Sequence, residues 1–242
     1  MDREEFYRYY KEIFELNGLS AFCDENAIEK MYAMTEHMLQ VNEHMNLTAI
    51  TDIPEVVAKH LADSVTVARF IPYGARVCDV GCGGGFPSLP LAIARSDIEV
   101  LGIDSTEKRI NYVNESAKLL NLDNLRAVSG RAEDLSRTEL RESFDICTAR
   151  AVANLPILSE FCLPFVKVGG AFVAMKGKYN HEEITKAPET LGSEPVNDKN
   201  TYKYFLKNLS SDEERCIFDL KKNCSTDNKY PRNYSQMKKK PL

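Results

Sequence analysis

One short stretch, VCDVGCGGGFPSLPLAIA at positions 77–94, constrains the fold more than any other part of the sequence. An apolar run ends in three alternating glycines, Gly81, Gly83 and Gly85, and a helical segment follows with Pro87 in its first turn. Glycine is needed there because a Cβ atom would forbid the positive φ values of a tight turn and would hold a ligand away from the backbone. The stretch predicts a strand, a ligand-binding loop and a helix at one edge of an α/β sheet.

The remainder of the chain repeats this alternation. From Ala75 onward, short apolar runs are separated by helical segments near 87–95, 106–120 and 155–166, which predicts a mostly parallel sheet covered by helices on both faces. The runs TYKYFLK and RCIFDLK near the C-terminus predict further strands and an antiparallel edge. The predicted parallel strands are ARVCDVG, IEVLGID, LRAVSG, FDICTAR and GGAFVAMKG.

Helical periodicity precedes the sheet. Apolar side chains share one face over 3–16 and over 24–45, and Pro54 is suited to be the first residue of a third helix. We therefore expect an α/β, doubly wound, Rossmann-like fold in a single domain. Its parts are a helical N-terminal extension (1–70), the sheet core (71–220) and a basic C-terminal tail (221–242).

An acidic residue ends the strand that follows the glycine loop. IEVLGID ends in Asp104, about the distance from the glycines at which a carboxylate accepts hydrogen bonds from both hydroxyls of an adenosine ribose. The alternative interpretation is a glycine-rich turn with Asp104 as a helix cap. Taken together, the loop and the acid favour a nucleoside pocket.

The glycine spacing separates two classes of nucleoside cofactor. Dinucleotide-binding proteins space their glycines GxGxxG, so that a pyrophosphate rests on the helix N-terminus. Here the loop reads GxGxG, with Asp79 two residues before it and Phe86 directly after it. This compact form favours S-adenosyl-L-methionine, and a redox-type dinucleotide-binding protein remains the alternative. Further along, Ala132 and Glu133 follow the third strand, where an adenine edge could bind, and Arg150 ends the fourth.

Composition and charge limit the possible cellular compartment and partners of the protein. The acidic start MDREEFYRYYKEIF lacks the features of a signal or transit peptide, and no apolar run reaches membrane-spanning length. The 7 cysteines form no CxxC pair, which predicts reduced thiols, no metal site and a cytoplasmic protein. The net charge is -5, yet the tail over 221–242 is basic. Such a tail is either a solvated, fraying terminus or a contact for a phosphate-bearing partner.

Several motifs together resemble one family, the GidB or RsmG type of bacterial small-subunit ribosomal RNA guanine-N7 methyltransferases. The resemblance implies a class I methyltransferase sheet that binds S-adenosyl-L-methionine and acts on 16S rRNA of the small ribosomal subunit, without a membrane or a metal. We expect a monomer. The shared pieces, in family order, are NLTAI (46–50), HLADS (60–64), DVGCGGGFP (79–87), IDSTEKR (103–109), RAED (131–134), ARAVA (149–153), MKG (175–177) and YPR (230–232).

The resemblance also assigns site residues. It implies a cofactor site lined by Gly81, Phe86, Ala132, Glu133 and Arg150, with Asp104 and Ser105 adding to it, beside the predicted Gly83 and Gly85. The chain departs from the family pattern at three places. Cys82 stands where Ser or Thr is common, Ser88 replaces a frequent Gly, and the tail lacks the usual Gly-x-Pro after YPR.

The implied chemistry needs no catalytic base. Guanine N7 carries an in-plane lone pair and no proton, so positioning should dominate, and we expect no obligatory histidine. His60 in HLADS either faces the cleft or pairs with Asp63 one helical turn on. Arg150 could contact the methionine carboxylate, guanine O6 or a phosphate. The remaining histidines, His37, His44 and His181, are isolated on predicted helices and should be solvated or packed.

RNA binding should rely on local positive charge, because the chain as a whole is acidic. A class I methyltransferase that acts on a protein or a small molecule would share the pocket without needing the basic tail. The candidates for phosphate contacts are Lys176, Lys178, Arg232, Lys238, Lys239 and Lys240.

Overall fold

A seven-stranded sheet forms the centre of the computed structural model, which describes residues 1–180 and 184–242. The strand order is β3-β2-β1-β4-β5-β7-β6, in which β1 to β5 are parallel and β7 runs antiparallel to both of its neighbours. The predicted α/β sheet with an antiparallel edge is thereby confirmed. The strands are β1 (Arg76–Val80), β2 (Glu99–Asp104), β3 (Leu125–Ser129), β4 (Phe144–Arg150), β5 (Val166–Lys176), β6 (Thr201–Leu206) and β7 (Glu213–Lys221).

Three helical segments precede the sheet, as predicted. Helices α1 (Arg3–Leu16) and α2 (Glu25–Met45) begin after Asp2 and Asp24, whose carboxylates accept hydrogen bonds from backbone N–H groups of the first turn. The third segment is continuous over 53–70. It consists of α3 (Ile53–Val56), a π-helical stretch (Val57–Ala62), α4 (Asp63–Thr66) and a 3-10 turn (Val67–Phe70).

Helices cover both faces of the sheet. One apolar core joins the N-terminal helices to one face and extends from Phe6 to Ile217, while a second fills the opposite face and includes Met237 near the C-terminus. Asn17 links the end of α1 to the end of β6, because its side chain exchanges hydrogen bonds of 3.0 and 2.9 Å with the backbone of Lys207. The remaining helices are α5 (Ser88–Ala94), α6 (Glu107–Leu119), α7 (Ala132–Leu135), α8 (Leu155–Cys162), α9 (Ala187–Thr190) and α10 (Tyr234–Lys239).

The basic tail over 221–242 is packed onto the sheet core. Arg141 donates hydrogen bonds to the carbonyl oxygens of Thr226 at 2.8 Å and Tyr230 at 3.1 Å, and the side chain of Met237 is fully buried. The interpretation of this segment as a fraying terminus is therefore wrong. Buried apolar contacts and hydrogen bonds hold it in place, and net charge alone does not reveal either of them.

None of the helices within the described residues combines the length and the apolar character needed to cross a membrane.

Candidate functional site

An open cleft of about 470 Å³ lies where the carboxyl ends of β1, β2, β3 and β4 meet. Five of the predicted site residues line it, namely Gly81, Asp104, Ser105, Ala132 and Glu133. They come from three successive strand ends, so the parallel sheet alone brings them together. Gly83, Gly85, Phe86 and Arg150 are not among the residues that line this cleft. Gly85 instead faces α5, where its Cβ atom would lie 2.4 Å from Cδ1 of Leu89.

Gly81 faces the cleft from the glycine loop. Its φ is 76°, and a Cβ atom there would lie 2.4 Å from Cγ2 of Val152, which also lines the cleft. The backbone N–H groups of Gly81 and Cys82 both donate to the carbonyl oxygen of Ile103, at 2.7 and 3.0 Å. The loop is thus tied to the end of β2, with bare backbone at the cleft.

Asp104 both shapes the loop and lines the cleft. Its Oδ2 accepts a hydrogen bond of 3.0 Å from the backbone N–H of Gly83, and its Oδ1 accepts one of 2.8 Å from that of Thr106. A carboxylate has about four lone-pair positions, so acceptor capacity remains for a ligand. The two proposed roles, turn former and ligand acceptor, are therefore compatible.

Asp79 lies fully buried beneath the loop. Its Oδ2 accepts hydrogen bonds from both the backbone N–H and the hydroxyl of Ser88, the residue that replaces a frequent glycine of the family. Burial raises the pKa of Asp79 to about 6, against the opposing effect of these bonds and of the Arg150 charge. The serine thus adds a polar partner for a buried acid.

Glu133 is the second acid of the cleft. It lies in the first turn of α7 and is 9% exposed, like Asp104. Each acid has an arginine nearby, since Arg131 Nη1 lies 3.8 Å from Glu133 Oε1 and Arg109 Nη1 lies 4.0 Å from Asp104 Oδ2. The cleft is therefore acidic inside with basic side chains beside it. Sequence reasoning missed both arginines as cleft residues, although both stand in quoted motifs.

Phe86 and Arg150 belong to a polar cluster outside the cleft lining. The Arg150 guanidinium lies 5.4 Å from the centre of the Phe86 ring, and its Nη1 donates to Asp63 Oδ2 at 3.0 Å and to the Lys59 carbonyl oxygen at 2.9 Å. His60 stacks on Phe86 with ring centres 4.6 Å apart. We call these residues, together with Thr48, the Arg150 cluster.

The predicted helical pair between His60 and Asp63 is wrong. Asp63 instead pairs with Arg150 and, at 3.3 Å, with Arg215, because the π-helical stretch changes the spacing of side chains around His60. His60 Nε2 lies 2.7 Å from the hydroxyl of Thr48, and its buried Nδ1 has no hydrogen-bond partner among the described residues. Burial and the Arg150 charge lower the pKa of His60 to about 4, so the ring is neutral at pH 7.

The family motifs converge at this cluster. NLTAI contributes Thr48, whose backbone N–H and carbonyl oxygen both bond to the Asn42 side chain, while HLADS contributes His60 and ARAVA contributes Arg150. Leu47 packs beside Gly84, because a Cβ atom built on Gly84 would lie 3.6 Å from the Leu47 Cβ atom. The N-terminal helices thus reach the outer side of the glycine loop.

The turn after β4 also lines the cleft. Ala151, Val152 and Ala153 all contribute, and Ala151 has a φ of 57°, which is rare for a residue with a side chain. Lys176, predicted to contact phosphate, donates a hydrogen bond of 2.9 Å to the Ala153 carbonyl oxygen. Sequence reasoning identified the motif and missed its unusual backbone.

Two aromatic residues complete the cleft, Phe161 of α8 and Tyr234 of α10. Neither was predicted. Phe161 appears in the sequence as an ordinary core residue of a helix, and Tyr234 lies 130 positions after Asp104, so no local pattern connects it to the glycine loop.

The other predicted basic and histidine positions are dispersed. Lys178 pairs with Glu214 at 3.2 Å and Arg232 pairs with Glu160, whereas Lys238, Lys239 and Lys240 are exposed. His37 packs on Tyr112, His44 is exposed, and His181 lies outside the described residues. Over 1–180 and 184–242, no group of three His, Cys, Asp or Glu side chains is arranged to hold a metal ion.

Solved structures share the fold at low identity. An O-methyltransferase from Bacillus cereus in complex with SAH has a TM-score of 0.55 and 19% identity, covering 78% of this chain and 91% of that one. TYW2 from M. jannaschii, in complex with AdoMet, has a TM-score of 0.52 and 17% identity, covering 66% and 74%. The predicted Rossmann-like methyltransferase fold is confirmed.

Sequence relatives are much closer. Two proteins named ribosomal RNA small subunit methyltransferase G match: one from Lactobacillus delbrueckii subsp. bulgaricus is 43% identical over 215 residues, covering 86% of this chain and 88% of that protein, and one from Lactobacillus acidophilus is 39% identical over 250 aligned residues, covering 100% of both. The family model GidB, described as rRNA small subunit methyltransferase G, matches residues 27–214. The chain therefore belongs to the GidB family of rRNA small subunit methyltransferases.

Proposed function

We propose that this protein transfers the methyl group of S-adenosyl-L-methionine to N7 of a guanine in the 16S rRNA of the small ribosomal subunit, in the cytoplasm. The observation that carries the proposal is the coincidence of family membership with a cleft in which bare glycine backbone faces two acids at neighbouring strand ends.

The cleft fits this cofactor. Gly81 adds no side chain to the cleft, since the space of its missing Cβ atom is taken by Val152, and Asp104 keeps acceptor capacity for two ribose hydroxyls. The Glu133 carboxylate and the Ala132 backbone at the start of α7 suit the polar edge of adenine. A volume of about 470 Å³ lies within the range of small-molecule sites. The cofactor supplies an electrophilic methyl group on a sulfonium sulfur.

The residues of the chain then act by orientation. Guanine N7 has a free in-plane lone pair, so no proton has to be removed before attack, and alignment alone can contribute roughly 7–11 kcal/mol. The neutral His60 and the fully bonded Thr48 brace Phe86 and the glycine loop from outside. These residues serve to fix the loop and need not exchange protons with the base.

Arg150 is the positioning residue of this scheme. Both of its hydrogen bonds within the described residues use Nη1, which leaves the donors on Nε and Nη2 for a carbonyl or anionic oxygen. Guanine O6, the cofactor carboxylate and a phosphate are acceptors of this kind. Asp63 and Phe86 hold the guanidinium plane, so its orientation is fixed before the substrate arrives.

RNA contact would come from exposed cations around the cleft. Arg131 is 67% exposed and Arg109 is 42% exposed, and both are cleft residues. Lys238 and Lys239 lie on α10 after Tyr234, and Lys240 follows the helix, so three further exposed positive charges come within six residues of a cleft residue. Because phosphate contacts position a nucleic acid without reading its sequence, we assign these residues to docking.

The test is transfer of labelled methyl from S-adenosyl-L-methionine to small subunits that lack the modification. We expect label in 16S rRNA and chain scission at one guanine after borohydride and aniline treatment. Asp104→Asn should bind the cofactor more than tenfold more weakly, because a hydrogen bond to a charged acceptor contributes about 1.5–3 kcal/mol. Asp123→Asn, at an exposed position after α6, is the matched control.

Two other outcomes would reject the proposal. Label in protein, or at a ring position insensitive to scission, would indicate a class I methyltransferase with another substrate. A rise in melting temperature with NAD but not with S-adenosyl-L-methionine would indicate a dinucleotide-binding protein, because a ligand stabilises only a folded state that binds it.

A further inference from the structure

The tail is attached to helix α8 by an ion pair. Arg232 donates from Nε to Glu160 Oε1 at 2.9 Å and from Nη2 to Oε2 at 2.7 Å, and its backbone N–H donates to Oε1 at 2.7 Å. The Glu160 side chain is only 1% exposed, so this carboxylate depends on Arg232 for its partners. The Arg232 guanidinium uses these donors to stabilise the fold, which argues against its predicted role as a phosphate contact.

Helix α10 begins directly after this ion pair. Asn233 caps it by accepting a hydrogen bond of 3.0 Å from the backbone N–H of Gln236, and Met237 anchors it through a fully buried side chain. Tyr234 lies between these two fixed points. Its position is therefore set on both sides, although its own side chain is 43% exposed.

The Tyr234 ring packs on Phe161, the residue next to Glu160. The ring centres are 6.0 Å apart and the planes are inclined by 28°, an offset stacked arrangement. Phe161 is 9% exposed, so Tyr234 carries most of the accessible aromatic surface. These two rings are the aromatic part of the described cleft lining.

The location of the rings matches one part of the proposed ligand. Helices α7 and α8 pack on each other, so the aromatic pair lies on the same side as Ala132 and Glu133. If Asp104 binds the ribose, the base extends toward this side. Adenine is a flat aromatic ring, and offset stacking on an aromatic side chain suits it.

We propose that Tyr234 is a binding residue for the adenine of S-adenosyl-L-methionine, and that the Arg232–Glu160 ion pair holds it in place. The inference rests on the proposed function and extends it, because it makes the C-terminal segment a wall of the cofactor site. Tyr234→Leu removes the aromatic ring and keeps an apolar contact with Phe161.

The test measures binding of S-adenosylhomocysteine and of methylthioadenosine by calorimetry. We expect Tyr234→Leu to weaken both ligands about three- to tenfold, the range of one aromatic pair, and Tyr234→Phe to bind like the wild type. Arg232→Gln should weaken binding in the same direction while the ring is still present. In turnover, Tyr234→Leu should raise KM for the methyl donor and leave kcat unchanged, because the contact is equal in the ground and transition states.

Tyr202→Leu is the matched control. Tyr202 is 44% exposed and packs edge-on against Phe70 at 4.8 Å, on the edge strand β6 away from the cleft. Equal weakening by the Tyr202 and Tyr234 variants, unchanged binding in Tyr234→Leu, or a loss limited to S-adenosylhomocysteine would overturn the inference. A wild type that binds neither ligand would instead refute the proposed function.

Discussion

Gly81 meets two requirements at once, since its backbone adopts a positive φ and its Cα faces the Val152 side chain at close range. We expect Gly81→Ala to weaken binding of S-adenosylhomocysteine at least tenfold and to lower stability by about 1–3 kcal/mol, because the new methyl group must displace Val152 and strain the backbone. Calorimetric titration and denaturant unfolding measure the two effects.

Gly177→Ala provides the comparison. Nothing lies within 4 Å of a Cβ atom at Gly177, and its φ is not in the left-handed region. This variant should bind like the wild type. Comparable losses in the two variants would mean that the glycine loop does not form the cofactor site.

The ionisation of Asp79 should make the free energy of unfolding depend on pH. Its pKa is raised from 3.8 to about 6 in the folded state, so folding favours the protonated acid. The contribution is fully present below pH 3.8 and is lost as the pH rises through about 6. We expect the wild type to lose about 2–3 kcal/mol relative to Asp79→Asn over this window, measured by urea unfolding at each pH.

The difference in free energy of unfolding between the wild type and Asp79→Asn reports on Asp79 alone, because the other groups titrate equally in both proteins. His60, whose folded pKa of about 4 lies below its usual 6.5, changes stability in the opposite direction over the same pH range. A difference that stays constant from pH 4 to 8 would show that Asp79 is ionised normally.

At the scale of elements, the sequence predicts well those helices and strands that depend on a local pattern of residues. The strands before and after the glycine loop, the capped helices α1 and α2, and the antiparallel edge all follow from periodicity and turn residues. Features that depend on distant contacts were not predictable. The partner of Arg150 and the packing of the tail each involve residues far apart in the chain.

The same contrast holds for the site. Gly81, Asp104 and Glu133 could be identified because each lies at or just after the end of a predicted strand, and parallel topology brings strand ends together. Tyr234 could not, because its position depends on a buried ion pair between Arg232 and Glu160 that the sequence does not indicate.

The three lysines at the C-terminal end of α10 are expected to contribute to RNA binding. Replacing Lys238, Lys239 and Lys240 with Gln should weaken binding to small subunits and reduce the slope of log affinity against log salt by about 2, if all three contact single-stranded phosphates. Filter binding at several salt concentrations measures the slope. The matched control replaces three exposed lysines elsewhere, Lys11, Lys118 and Lys199, and should leave it unchanged.

An unchanged slope in the α10 variant would assign this helix to the cofactor wall alone. Binding of S-adenosylhomocysteine should be normal in both lysine variants, because these side chains are exposed and are not part of the cleft lining.

At the scale of the whole molecule, we propose that the N-terminal extension, the sheet and the tail form one cooperative unit. A single apolar core contains Phe6 from α1 and Ile217 from β7, and the tail is buried through Met237. Scanning calorimetry should therefore give one transition with equal calorimetric and van't Hoff enthalpies. Two separated transitions, or a folded fragment lacking 1–45, would contradict this.

The reciprocal bonds between Asn17 and Lys207 have a consequence for biosynthesis. At roughly 5–20 residues per second, helix α1 is made about 10–40 s before the strand that completes its surroundings. During that interval its apolar side can already pack against α2 and the third helical segment, which are made directly after it. The two bonds between Asn17 and Lys207 therefore cannot form before β6 has been synthesised, so this contact is a late event in the maturation of the nascent chain.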